Sequence, residues 1–371
     1  MDQRERTVPG PQVLPKHSAM IIPSTQFAIN PEHLTGVLRR SGVLGEGRVC
    51  DVAVESSRAT ILSQIIRLRL SYQGVSKAPK YVILKTALSE RADATWNAGH
   101  HEVEFYTQVA PGMSARFVPG CFEAHCDPDT KAWHLVLEDL SESHFIATEW
   151  PLPPMMEQCE RIVHARARFQ ALWWDNPRLG VSVGSSLDAE ALQRLLRNFA
   201  EAFTRFTGLI GDRLPRDRRD LFDQFLDAAS RLAARYFVRH NLTIVQGDAH
   251  VWNCFLPRDA GRDDVRFFDW DSWRIGTGSD DLAYMMAVHW YPDLRGERER
   301  LLLDHFHATI VAHGVRGYDR RALDDDYRLS VLWQITTPVW QAAHGIPPWI
   351  WWNNLERILL AVDDLNCRDL L

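Results

Sequence analysis

Leu242-Thr-Ile-Val-Gln-Gly-Asp-Ala-His-Val-Trp-Asn253, followed by Phe267-Phe-Asp-Trp-Asp271, decides how this chain is read. Leu242 to Val245 is a short apolar run that feeds a tight turn. Asp248 stands at the crest of that turn, and Asn253 follows five positions later. Val265 to Phe268 is a second apolar run, and it ends in Asp269. Either motif alone reads equally well as an Asx-rich turn on a hairpin. Asn253 and Asp269 lie sixteen positions apart, so together the two strands bring three oxygen-bearing side chains to one end of a hairpin.

Upstream, the text is strand-like. Val52 and Val54 mark one strand. Ile66, Leu68, Leu70 and Tyr72 alternate with Arg67, Arg69 and Ser71, the period of a half-buried strand. Tyr81 to Lys85 is a third strand and Trp133 to Glu138 another. Between them, Glu102, Phe105, Tyr106 and Val109 share one helical face, and Pro111-Gly112 stops that helix. Pro31 to Arg40 reads as a short helix. The composition shifts after Leu140. WPLPP (150–154) is a loop, and helices are expected over Met155–Trp174, 187–206, 219–239 and most of the chain beyond Ser279. The expected fold is α+β and bilobal: a small antiparallel sheet with one helix over 26–140, then a larger, mainly helical lobe over 141–371. Residues 1–25 are polar and proline-containing, and read as a flexible terminus.

These parts suit phosphoryl transfer, which needs a cation at the nucleotide phosphates, oxygen ligands for Mg²⁺, and a carboxylate to take the acceptor's proton. Lys85 ends an apolar strand. It is either an edge residue snorkelling to water or the phosphate cation. Glu102 is placed to hold its head. Asp248 offers a base, while Asn253 and Asp269 offer the neutral and charged oxygens that a hard cation takes. In Gly276-Thr-Gly278-Ser-Asp-Asp281, Ser279 or Asp280 caps a helix. Asp281 either braces the catalytic turn or is an ordinary acid of a helix's first turn.

Composition narrows the field. The chain has 371 residues, 46% hydrophobic and 24% charged, as in folded soluble proteins. A net charge of −6 gives no basic face for nucleic acid. No apolar run reaches the length of a membrane span, and the first residues lack the apolar centre of a secretory signal, so the expectation is a cytoplasmic protein without a membrane partner, monomeric or homodimeric. Six cysteines without framework spacing read as reduced thiols. Cys121, His125 and Cys126 lie close together, but a single Cx4C lacks the second pair of a metal site. Fourteen tryptophans fit core positions or an acceptor pocket for a flat molecule. Asp324-Asp325-Asp326 would suit a polycationic acceptor, though acid runs are usually solvated faces.

The run from Lys85 onward resembles the aminoglycoside phosphotransferase and choline kinase group, and within it the ecdysteroid-kinase-like branch. The resemblance is carried by Lys85, by Glu102 with Phe105-Tyr106, and by Leu137-Glu138-Asp139-Leu140. Gly247-Asp248 with Asn253, Phe268-Asp269-Trp270 and Asp281-Leu282-Ala283 complete it. It implies a kinase-like fold with ATP between two lobes and transfer of the γ-phosphate to a hydroxyl of an antibiotic, natural product or metabolite. It implies that Glu138 and Leu140 present backbone groups to adenine, that Asp248 is the base, and that Asn253 and Asp269 hold Mg²⁺. Asp271 would touch a second Mg²⁺, directly or through water.

The pattern has three departures. Gln246 stands where the group has a histidine before Gly-Asp, and Gln170 stands where a second histidine is usual. There is no glycine-rich phosphate loop; the candidate is Glu55 to Ser63, with Ser56, Ser57 and Thr60 as donors. Two rival readings follow. A catalytically silent nucleotide-binding protein of the same fold has to explain why Lys85, Asp248, Asn253 and Asp269 all stand. A protein kinase lacks support, because there is neither an HRD-type loop nor a phosphosite-bearing activation segment.

Overall fold

The structure is a computed structural model that describes residues 28–74, 77–88, 98–113 and 116–371; the expected flexible terminus over 1–25 lies outside them. Helix α1 (Pro31–Arg40) opens it. Proline sits in its first turn, and the Asn30 side chain accepts from the Glu32 and His33 amides. Strands β1 (Arg48–Ala59), β2 (Ser63–Gln73), β3 (Tyr81–Ala87), β4 (Cys121–Cys126) and β5 (Trp133–Glu138) form one sheet in the order β1-β2-β3-β5-β4. Every neighbouring pair is antiparallel. Helix α2 (Ala98–Glu104), continued by a π-helical turn over Phe105–Val109, is inserted between β3 and β4.

Period-two alternation gives this sheet two buried faces. Leu68, Leu70, Val82, Leu84 and Val136 point outward and pack under Leu34 and Leu38 of α1. Ile83, Leu135 and Leu137 point inward, in a core shared with Phe105, Tyr106 and the helical region. Lys85 is two positions beyond Ile83, so it too faces inward.

The C-terminal region is mostly helical, as expected. It contains α3 (Met156–Trp173), α4 (Ala189–Ile210), α5 (Arg216–Leu232) and the short α6 (Ala234–Phe237). The expected helix over 219–239 is therefore two helices, broken at Ala233. After them come α7 (Gly278–Met286), α8 (Pro292–Ala312), α9 (Arg320–Trp333), α10 (Thr336–Ala343) and α11 (Pro348–Asp364). Two small antiparallel arrangements interrupt the helices. Residues 254–257 pair with 266–267 and with 144–145, while Thr243–Val245 pairs with Arg274–Gly276. The second pairing was not legible in the sequence, because Arg274 to Gly276 is three residues long. It fixes both ends of the chemistry-bearing segment.

Candidate active site

The turn after Val245 is held from beneath by one carboxylate. Asp281, in the first turn of α7, is fully buried and accepts the Gln246 and Gly247 amides, each at 3.0 Å. It also accepts Arg166 Nη1 at 2.8 Å and Gln170 Nε2 at 3.0 Å. Of the two readings of Asp281, bracing is the one the geometry shows. Gln246 spans two strands: its Nε2 donates to the Phe268 carbonyl at 2.6 Å, and its Oε1 accepts Arg166 Nη2 at 3.1 Å. An amide carries both a donor and an acceptor, so Gln246 is satisfied at both ends where a histidine was expected, while Gln170 donates to Asp281 and its buried Oε1 has no hydrogen-bond partner among the described residues. Gly247 has φ +82°, and a Cβ there would sit 2.2 Å from the Ser272 carbonyl oxygen, so only glycine fits.

Asp248 emerges from this turn. Asn253 Nδ2 donates to its carbonyl at 3.0 Å and to its Oδ2 at 2.9 Å. Asn253 therefore keeps its own side-chain oxygen for another partner. His250 Nε2 lies 3.4 Å from Asp248 Oδ2. The Tyr284 hydroxyl faces the same carboxylate; burial first, and then Asp248, push its pKa well up.

Lys85 meets two carboxylates from distant parts of the chain. Its Nζ lies 2.5 Å from Glu102 Oε2 on α2 and 2.6 Å from Asp269 Oδ1. Burial alone would lower this ammonium, but Asp269 and Glu102 more than offset it and raise its pKa. For Asp269 burial pulls upward and Lys85 pulls harder downward, so its carboxyl stays ionised. Asp269 adopts φ +64°, a left-handed conformation that aspartate tolerates better than most residues and that clusters at functional sites. Asp271 lies beside it and accepts Ser272 Oγ at 2.8 Å. Burial, and then the Asp269 and Asp248 charges, raise its carboxyl well above the usual range.

Aromatic packing sets the distance between α2 and this segment. Phe105 stacks on Trp270 with ring centres 3.9 Å apart. Trp273 Nε1 donates to the His101 carbonyl at 2.8 Å, and His101 Nδ1 meets the Asp271 carbonyl at 2.9 Å. His101, Arg166, Trp273 and Tyr284 were all missed in the sequence. Arg166 left one usable signal: it sits among Ile162, Ala165 and Phe169 on the buried stripe of α3, where an unpaired arginine is not tolerated.

The remaining expected residues are placed less centrally. Glu138 ends β5 and accepts the Gly120 amide at 3.0 Å. Leu140 is buried, and its carbonyl accepts the Ser143 and His144 amides. Between them Asp139 accepts Arg67 Nε at 2.6 Å, which ties this connector to β2. Glu55 to Ser63 is not an open loop. Ser56 and Ser57 belong to β1, paired with Arg67 and Ile66, and only Thr60 to Leu62 turn. Ser57 Oγ accepts Gln64 Nε2 at 2.6 Å, and no contact among the described residues links it to Lys85 or Asp269.

The donor set fits a hard divalent ion. Asn253 has a neutral oxygen, Asp269 an ionised carboxylate and Asp271 a carboxyl that a cation would help ionise, and the local acids outnumber Lys85.

A sheet with one inserted helix, a buried Lys–Glu pair and an Asp-bearing turn define the kinase-like phosphotransferase fold. The chain belongs to the ecdysteroid kinase-like family, which it matches over residues 59–174 and 182–315. No curated protein aligns significantly with the sequence. Among solved structures, it is similar to a Ralstonia eutropha protein provisionally assigned as an aminoglycoside phosphotransferase. That match has 13% identity and a TM-score of 0.58, over 92% of this chain and 98% of the other. A choline/ethanolamine kinase family protein from Mesorhizobium loti matches at 13% identity and a TM-score of 0.50, over 92% of each chain. An amicoumacin kinase in complex with AMP-PNP and Ca²⁺ matches at 14% identity and a TM-score of 0.50, over 92% of this chain and 96% of the other. At these identities the likeness is one of fold.

Proposed function

We propose that the protein is an ATP-dependent O-phosphotransferase acting on a hydroxyl of a small molecule. The observation that carries this reading is Lys85, held by Glu102 and meeting Asp269, with the Asp248–Asn253 turn tied to the same strand through Gln246 and Phe268. Lys85 binds the nucleotide phosphates, and Glu102 keeps its head in place. Asn253, Asp269 and Asp271 hold Mg²⁺, which when bound neutralises charge on the phosphates. Glu138 and Leu140 flank adenine, and Ser57 lies on the β1–β2 hairpin that covers the phosphates. The division between the lobes falls near residue 140. Asp248 orients the acceptor hydroxyl and takes its proton. The hydroxyl oxygen bonds to the γ-phosphorus, the bond from that phosphorus to the β–γ bridging oxygen breaks, and ADP departs.

The acceptor side favours a flat, weakly charged alcohol. Trp252 follows the catalytic turn and lies near His250, with ring centres 5.4 Å apart. Trp150 stands 6.4 Å from Trp252 and 4.8 Å from Trp349, a residue that is 58% exposed. Of the other late tryptophans, Trp290 and Trp351 are core residues and Trp333 meets Phe225, while Trp340 is 39% exposed. The acidic run supports no polycation site, because Asp326 is buried against Arg235 and Tyr318, and Asp324 pairs with Arg320.

No helix among the described residues is long and apolar enough to cross a membrane. The test is ATP consumption across a panel of alcohols that includes sterol-like alcohols, nucleosides, sugars, choline-like amines and aminoglycosides. ADP release dependent on one acceptor and on Mg²⁺ supports the reading. Tight nucleotide binding with no turnover on any acceptor favours the silent protein instead.

A further inference from the structure

On the outer face of the sheet, away from Lys85, a second polar cluster sits at the edge of the core beneath α1. Glu123 on β4 stands opposite Val136 on β5, and His125 stands opposite His134. Directly opposed residues share a face, and Val136 lies in the core under α1, so Glu123 and His134 point the same way. His33 comes down from the first turn of α1. Its Nε2 lies 2.6 Å from Glu123 Oε2, and His134 Nε2 lies 2.9 Å from that same oxygen. The three ligating atoms all fall within 4.8 Å of one another. Arg40 Nη2 takes the other carboxylate oxygen at 3.1 Å, which fixes the Glu123 head and leaves Oε2 to the imidazoles.

We propose that His33, Glu123 and His134 bind a divalent transition-metal ion of the zinc type. Two imidazole nitrogens and one carboxylate oxygen are ligands that zinc, cobalt and nickel accept and that magnesium does not prefer. The side chains of all three residues are at most 15% exposed, and a water would complete the four ligands that zinc takes. As they stand, both imidazoles meet the carboxylate through Nε2. A bound ion takes the place of the proton that each Nε2 presents to Glu123 and draws each ligand to about 2.0–2.2 Å. The ligands then spread by roughly half an ångström from their present hydrogen-bond spacing. The three residues come from three elements, so the ion would clip α1 to β4 and β5. Cys121, His125 and Cys126 do not form such a group among the described residues. This site is independent of the phosphotransferase reading, since it shares no residue with it.

The experiment uses the full chain, stripped with a chelator and then titrated with Co²⁺ and Zn²⁺ in excess Mg²⁺. Binding is followed by calorimetry, by the visible absorption of bound Co²⁺, and by thermal unfolding. One equivalent is expected, with the visible bands of a low-coordinate cobalt and a rise in Tm. His33→Ala should weaken binding by more than the roughly tenfold seen when even an outer-shell partner is lost. His33 opens an exposed helix end, so this variant keeps the test usable if His134→Ala fails to fold. Asp269→Ala should leave cobalt binding unchanged. No saturable cobalt binding in excess Mg²⁺, or binding that survives His33→Ala and disappears in Asp269→Ala, overturns the proposal.

Discussion

Lys85 Nζ and Asp269 Oδ1 are 2.6 Å apart although 184 positions separate them in the chain. One belongs to the third strand of the sheet and the other ends a strand inside the helical region. This pair, with Glu102 on the same ammonium, joins the two regions at the point where the chemistry is proposed.

Removal of the proposed base should separate chemistry from binding. Asp248→Ala should lower kcat by the roughly 10²–10⁴ associated with a general base, with nucleotide affinity largely kept. Steady-state kinetics and calorimetry with AMP-PNP check this on one sample. Full turnover in Asp248→Ala contradicts the role.

Asp281 acts from beneath, through other residues. Asp281→Ala strands the buried Arg166 guanidinium and frees two turn amides. A broken buried ion pair typically loses about 3–5 kcal/mol, and urea unfolding should show a loss of that order. A loss under about 1 kcal/mol would mean that the turn is held by something else.

His289 gives the stability a pH dependence of known sign. Burial, and then the His250 charge, hold its imidazole down at about 3 from an ordinary 6.5. The unfolded chain therefore takes up this proton first as pH falls. Stability is fully present above about 6.5 and is lost as pH drops toward 3. The slope from one such proton is at most about 1.4 kcal/mol per pH unit. His289→Gln should flatten that part of the curve, measured by urea unfolding at several pH values. An unchanged slope sinks the assignment.

Trp349 should matter to the acceptor and not to the fold. It is largely exposed and packs edge-on to Trp150. Trp349→Ala should raise KM for a flat acceptor, leave KM for ATP alone, and shift Tm very little, since surface substitutions usually stay within about 0.5 kcal/mol.

Much of this arrangement was legible in the sequence. Period-two text placed the strands, and the same alternation turned Lys85 inward because Ile83 turned inward. Glu102 shared a helical face with Phe105 and Tyr106, so its direction followed once that face was buried. Neither the Asp248 turn nor the Asp269 turn was decisive alone, since each reads equally well as an Asx-rich turn; the two together, with Asn253 and Asp269 sixteen positions apart, pointed to a site. What was not legible depended on partners remote in sequence. Arg166 signals only that it needs a partner on the buried stripe of α3; that the partner is Asp281, 115 positions away, is not readable. His101 acts through backbone carbonyl contacts that leave no pattern. Ser57 was expected in a phosphate loop, but β1 runs on through it, paired with Ile66 of β2, and the hairpin turns only at Thr60.

The most direct measurement is calorimetric titration of AMP-PNP with and without Mg²⁺, into the wild-type chain and into Asp269→Ala. Convergence of Lys85, Asn253 and Asp269 on one metal-bound triphosphate requires binding that depends on Mg²⁺ in the wild type and loses that dependence, with most of its affinity, in the variant. Equal affinity in both proteins, with or without Mg²⁺, would contradict it.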